Sequence, residues 1–311
     1  MKRAAFTVGF IVLIIGALLS QECDLPGLTG PYLGQKPPGD KPEIFAPGLV
    51  SLETSFECCR AISPDAKEFF FVRQIESGEK IFRMIEEKSG WTKPEPIAYT
   101  NRAFQYTPFV SPGGDKLLFM VGDAKPKGED AGSRAEVWIL TRNGKDWAAP
   151  HLVVTSIGGA RPFYITMTES GTLYFSCVDR NGIYRSEFKD GQYSTAERLP
   201  DEINYLEHIS HPYIAPDEDF IIVDARKEPT YHQSDLYISF RKKDGLWTKA
   251  VNMGDQINSS GNEMCPSVSP DGKYIFFGRV FPGKKTDIYW ASAKTIEELR
   301  PKESMIEDKG K

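Results

Sequence analysis

Pro266-Ser-Val-Ser-Pro-Asp-Gly-Lys-Tyr-Ile-Phe-Phe-Gly-Arg279 reads as a strand, a tight turn and a second strand. Pro270 presets φ, Asp271 can bond its own backbone and Gly272 accepts positive φ, the requirements of a tight turn. Tyr274 to Phe277 are the aromatic and β-branched residues that strands favour. The stretch decides the fold because the chain repeats it.

Copies begin at Arg60, Pro108, Pro162, Pro212 and Pro266, so successive spacings are 48, 54, 50 and 54 residues. The first copy, Arg60-Ala-Ile-Ser-Pro-Asp-Ala-Lys, lacks the leading Pro and the Gly. The copy at Pro162 carries insertions. A third strand follows each copy: Lys80-Ile-Phe-Arg-Met-Ile85, Glu136-Val-Trp-Ile-Leu140, Gly182-Ile-Tyr-Arg185, Asp235-Leu-Tyr-Ile-Ser239 and Asp287-Ile-Tyr-Trp290. In four copies a turn and an aromatic residue (Trp91, Trp147, Tyr193 or Trp247) then open a fourth strand. Short antiparallel strands in fours at this period make propeller blades. The recurring aromatics are expected to pack between blades.

The fifth copy lacks that fourth strand and runs instead into Lys294-Thr-Ile-Glu-Glu-Leu-Arg-Pro301. A ring must not leave a free edge where its ends meet. The expectation is an all-β, five-bladed propeller of four-stranded antiparallel blades, closed by residues 43–50 as the outer strand of the last blade. The division is then 1–22 leader, 23–42 extended Pro/Gly-rich arm, 43–301 propeller and 302–311 frayed tail. The arm reads as extended and unpacked, because Pro and Gly crowd it.

This repeat pattern resembles the WD-repeat-like propeller repeats of the TolB type over about residues 55–300. The resemblance implies a periplasmic or extracellular propeller used for protein–protein binding or attached to an enzyme domain. The sequence departs from TolB in showing five repeats and no counterpart of its N-terminal α/β domain.

The composition is that of a globular protein, 40% hydrophobic with net charge −5 and no basic stripe. Nucleic acid is therefore not an expected partner. Met1-Lys2-Arg3 and the apolar run Ala4–Leu19 have the form of a secretory leader, with an uncleaved membrane anchor as the alternative. Cys23 raises lipidation, but Ser20-Gln21-Glu22 lacks the small residues of a lipobox. Five cysteines without regular spacing do not make a disulfide framework.

In a propeller, the start of each inner strand and the end of each second strand share one mouth of the central channel. Glu57, Gln105 and Glu263 share one register there, and Cys59, Arg161, His211 and Cys265 share the position just before the Pro. Arg73, Asp179, Asp224 and Arg279 end second strands. These residues are the candidate ligand site: Glu57, Arg73, Gln105, Arg161, Asp179, His211, Asp224, Glu263 and Arg279. Glu57, Glu207 and Glu263 are the candidates for acid–base catalysis on a glycoside, which needs two carboxyls about 5 Å or about 6.5–9.5 Å apart. Arg60, Arg73, Arg161 and Arg279 are candidates for holding a carboxylate or phosphate. Against both readings, the acids and arginines can simply pair. His208 and His211 point to opposite faces of a regular strand, so no metal site is expected. Cys59 and Cys265 sit on blades that meet at the closure. They are read as two buried thiols, because adjacent channel strands are expected to be too far apart for a disulfide.

The functional expectation is an exported binding propeller, more a binder than an enzyme. It takes a protein or carbohydrate ligand at its channel face, needs no cofactor, works as a monomer and is free of the membrane once the leader is removed. The alternative is a hydrolase or lyase using the channel-mouth glutamates. Paired carboxylates facing an open pocket favour the enzyme; acids tied to arginines favour the binder.

Overall fold

A computed structural model of the protein describes residues 28–97, 104–122, 136–154, 157, 159–177, 180–226 and 233–302. The leader, Cys23, Asp179 and nearly all of the expected tail lie outside the described residues.

The repeated turn is built by its serine. Ser269 Oγ accepts from the Tyr274 amide at 2.9 Å and donates to Asp271 at 2.7 Å, while the Gly272 amide reaches the Ser269 carbonyl at 2.8 Å. Ser63 and Ser111 make the same contacts with Glu68 and Lys116, and Thr168 serves the turn of the third blade through Thr172. The turn residue with positive φ is Gly114, Gly171 or Gly272 in three blades. In the other two it is Ala66 (φ 55°) and Glu218 (φ 62°), which bear the steric cost that glycine avoids.

These turns join the first two strands of five antiparallel blades. The inner strands are Glu57–Ile62, Phe104–Val110, Pro162–Met167, Ser210–Ile214 and Asn262–Val268. Each pairs with a second strand, and that with a third. The outer positions are short: Val251–Asn252 fills the fourth blade, whereas Gly90–Trp91 and Glu95–Pro96 share that of the first. Trp91, Trp147 and Trp247 are buried, as expected of packing residues, while Tyr193 is half-buried. Trp147 shows the role: its ring meets Phe70 of the preceding blade edge-on, and its Nε1 donates to Glu68 at 3.1 Å. Arg83 and Arg142 reach the same carboxylate, so apolar and charged contacts hold the two blades together.

The last blade is completed by the N-terminal segment, as expected, with a shorter strand than 43–50. Glu43–Ile44 pairs antiparallel with Asp287–Ser292, and the Phe45 amide continues to the Ile288 carbonyl at 2.8 Å. Phe45 is fully buried and packs against Phe69 of the first blade and against Phe276 and Trp290 of the last, at 5.0–5.3 Å between ring centroids. One side chain thus ties both ends of the ring, and burying a phenylalanine contributes about 2–3 kcal/mol.

The preceding arm differs from the unpacked reading. Tyr32 and Leu33 are buried. Tyr32 donates to Asp271 at 2.8 Å and meets Tyr274 edge-on, while Trp91 Nε1 donates to the Gly30 carbonyl at 2.9 Å. The proline and glycine content predicts an irregular backbone. It does not say that two apolar side chains within it find the seam between blades. Among the described residues no helix is long and apolar enough to cross a membrane.

Candidate functional site: the central channel

All five inner strands bulge where the chain turns into the channel. The register slips at Cys58/Arg60, Tyr106/Phe109, Pro162/Tyr164, Ser210/Tyr213 and Met264/Ser267. In four blades the residue before the Pro position is left-handed: Cys59 (φ 41°), Thr107 (φ 56°), His211 (φ 43°) and Cys265 (φ 53°). Such backbone is costly for any residue but Gly, and most of all for a β-branched one such as Thr107. A bulge re-aims side chains relative to the flat pleat. Repeated around the ring, it divides the channel into two ends of different chemistry.

At the strand-start end, charges are paired. Arg73 Nε donates to Glu57 at 2.8 Å and Arg279 Nε to Glu263 at 2.7 Å, with both carboxylates fully buried. Arg73 also caps the Leu49 and Val50 carbonyls, and Arg279 that of Ile257. Ser55 and Ser259 add hydroxyl donors to the two glutamates. Of the oxygens of these two carboxylates, Glu263 Oε2 is the one buried without a hydrogen-bond partner. Gln105, in the same register, is buried and accepts from the Ile81 amide of the preceding blade at 3.4 Å. Glu207 and Arg161 are solvent-exposed. The structure therefore joins Glu57 with Arg73 and Glu263 with Arg279, and presents neither acid to an open pocket.

Between the two ends sits a buried polar layer. His211 Nδ1 is 2.8 Å from Asp224 Oδ1, and the same oxygen accepts from the Cys265 amide at 3.1 Å. Burial works against the imidazolium, but Asp224 outweighs it, and the histidine pKa is raised. The expectation of two buried thiols stands, since Cys59 and Cys265 are free and buried. Its reason does not: the two sulfurs are 3.1 Å apart, because the bulges turn both toward the axis. The Cys265 and Cys58 thiols, with His211 and Arg60 nearby, hold Cys59 well below the ordinary thiol range, while burial pushes Cys265 up. Among the described residues no group of three His, Cys, Asp or Glu side chains is placed to hold a metal ion.

At the opposite end, among the turns, the channel opens as a cavity of about 180 Å³. Inner-strand residues of every blade line it, including Ile62, Phe109, Met167, Ile214 and Val268. The exposed prolines Pro64, Pro216 and Pro270 form its rim, and the buried Arg60 and Tyr164 its deep end. The sequence points to the other mouth, with Arg60 expected there beside Arg73 and Arg279. The bulge at Cys58/Arg60 instead leaves Arg60 on the turn side of the polar layer. The recurrent Pro one residue after the left-handed position was the available signal, but it does not state which way a side chain turns.

No family model matches the chain, and no curated protein matches it. Solved structures do. The catalytic domain of a GH62 α-L-arabinofuranosidase from Coprinopsis cinerea is 8% identical, covers 81% of this chain and 97% of its own, and has a TM-score of 0.51. An α-L-arabinofuranosidase from Podospora anserina, solved with cellotriose, is 11% identical over 78% of this chain and 94% of its own, with a TM-score of 0.50. TolB from Acinetobacter baumannii is 16% identical over 78% of this chain, with a TM-score of 0.48. This chain spans about half the length of that TolB, 53%. At these identities the likeness shows the propeller fold and nothing of the activity.

Proposed function

We propose that this chain is an exported binding propeller that takes a ligand into its central channel from the turn end and performs no chemistry on it. The observation that carries this reading is the cavity of about 180 Å³ lined by all five blades, set against a far mouth whose acids are engaged. A concave, mainly apolar pocket with few polar groups is the usual form of a ligand site. Its size suits a small molecule or one protruding group of a protein or glycan. The leader-like residues 1–22 support export. The second reading, a hydrolase or lyase, draws on the arabinofuranosidase folds, but here it would need Glu57 or Glu263 released from its arginine.

The test is an array of glycans, peptides and small acids probed with the mature protein and with Val268→Trp, whose new ring fills the half-buried wall of the cavity. Circular dichroism checks that the variant folds. Hits lost on Val268→Trp support channel binding; hits retained overturn it. Hydrolysis of aryl glycosides that falls with Glu57→Gln would replace the binding reading with the enzymatic one.

A further inference from the structure

Arg60 is the one channel arginine of the expected anion-holding set that is buried and not tied to an acid. The residue lines the cavity and is 2% exposed, and one nitrogen, Nη2, donates to the Phe276 carbonyl. Nε and Nη1 are buried without a hydrogen-bond partner. They carry three N–H donors between them. Arg73 and Arg279, by contrast, each hold a buried glutamate. The titratable groups that act most on Arg60 are Tyr164 and the three cysteines Cys265, Cys59 and Cys58. Cys59 shares its sulfur contact with Cys265 and makes no hydrogen bond with the guanidinium.

A guanidinium stays charged in a protein, and a buried charge without a bonded counterion is costly. We infer that the deep end of the cavity is a carboxylate site, in which Arg60 receives the carboxyl group of a compact organic acid whose apolar body lies between Phe109, Met167 and Val268. The inference rests on the channel-binding reading and adds the chemistry of the ligand. The surroundings select the class. Cys59, held well below the ordinary thiol range, already brings negative charge near the guanidinium without bonding to it, so a single carboxylate adds the least further charge among apolar walls, whereas a phosphate dianion or a dicarboxylate adds more. Exposed Glu169 at the rim further disfavours a second anionic group there. Size selects the body, since a dry cavity of about 150 Å³ accommodates benzene. Burial and the neighbouring Cys265 and Cys59 push the Tyr164 phenol well above its ordinary range, so it stands beside Arg60 as a neutral hydroxyl.

Fluorine NMR with para-fluorobenzoate and its uncharged analogue para-fluorobenzamide tests this, with acetate, butyrate and hexanoate as competitors. The expected result is line broadening of the benzoate, binding at least about tenfold tighter than the benzamide, and displacement by the longer acids. Arg60→Met should abolish the preference for the carboxylate. Its melting temperature should equal or exceed that of the native protein, because replacing a buried charge by an apolar side chain of similar length is often stabilising. Equal binding of both probes, or a preference that survives in Arg60→Met, overturns the carboxylate site while leaving channel binding standing. Binding of the benzoate that persists in Val268→Trp overturns the channel reading itself. Failure of every carboxylate in the series to bind overturns the inference.

Discussion

The two ends of the channel carry the same residue types in opposite states. At the strand starts, half-buried Arg73 and buried Arg279 pair with the buried Glu57 and Glu263, and backbone carbonyls take the Nη2 donors of both. At the turn end, Arg60 is as deeply buried and has only one carbonyl partner. An arginine paired inside a fold is part of the structure, because removing either member strands the other charge. An unpaired one is dispensable to the fold and costs it something, so it points to a ligand. The difference separates residues that hold the ring from those that serve what enters it.

The largest effect expected from breaking this contrast is Arg279→Met. It leaves Glu263 buried and unpaired, and should cost about 3–5 kcal/mol in urea denaturation. Adding Glu263→Gln should restore at least about 1 kcal/mol of that loss, because the stranded charge is gone. A double variant no more stable than Arg279→Met would show that the arginine acts through packing on Phe277 and Tyr289 and not through the pair. Arg60→Met, assayed in the same way, should lie within about 1 kcal/mol of the native protein or above it. A loss comparable with that of Arg279→Met would remove the distinction between the two ends.

The polar layer offers a pH test. His211 faces Asp224, Cys59 and the rings of Phe163 and Tyr164. Its folded pKa lies above the ordinary histidine value of 6.5. The folded state therefore binds this proton more tightly than the unfolded chain does. The resulting stability is complete below about 6.5 and is lost as pH rises through the folded value. Denaturation curves of the native protein and His211→Asn across that window should converge as pH rises. Curves that stay parallel would mean that His211 titrates alike in the folded and unfolded states, and curves that diverge as pH rises would mean that it is neutral in the fold.

The smallest effect concerns the turns around the open rim. Ala66 occupies the left-handed position that Gly114, Gly171 and Gly272 fill elsewhere. Ala66→Gly should stabilise by about 0.5 kcal/mol, the relieved strain exceeding the added chain entropy. A destabilisation would show that packing of the Ala66 methyl matters more than its backbone.

Much of this protein is legible in its sequence because a blade is a local object. Turn chemistry at Ser269-Pro-Asp-Gly272, strand alternation and a period near 50 residues act over short separations, and five copies reinforce one another. The missing fourth strand of the last copy likewise exposes the closure by Glu43–Ile44. The pairings of Glu57 with Arg73 and Glu263 with Arg279 were among the alternatives already open, since each spans only 16 residues of one blade. What the tertiary structure alone decided is what happens between blades and along the axis. Tyr32 and Leu33 gain their burial from a seam whose two sides lie at opposite ends of the propeller chain. Cys59 and Cys265, 206 residues apart, touch because a bulge in each inner strand turns both sulfurs inward. The first of those bulges leaves Arg60 beyond the acids it was expected to join. Local sequence preferences set the strand and the turn, but the direction of a side chain after a bulge depends on the ring that packs around it, and that direction separates the paired arginines from the unpaired one.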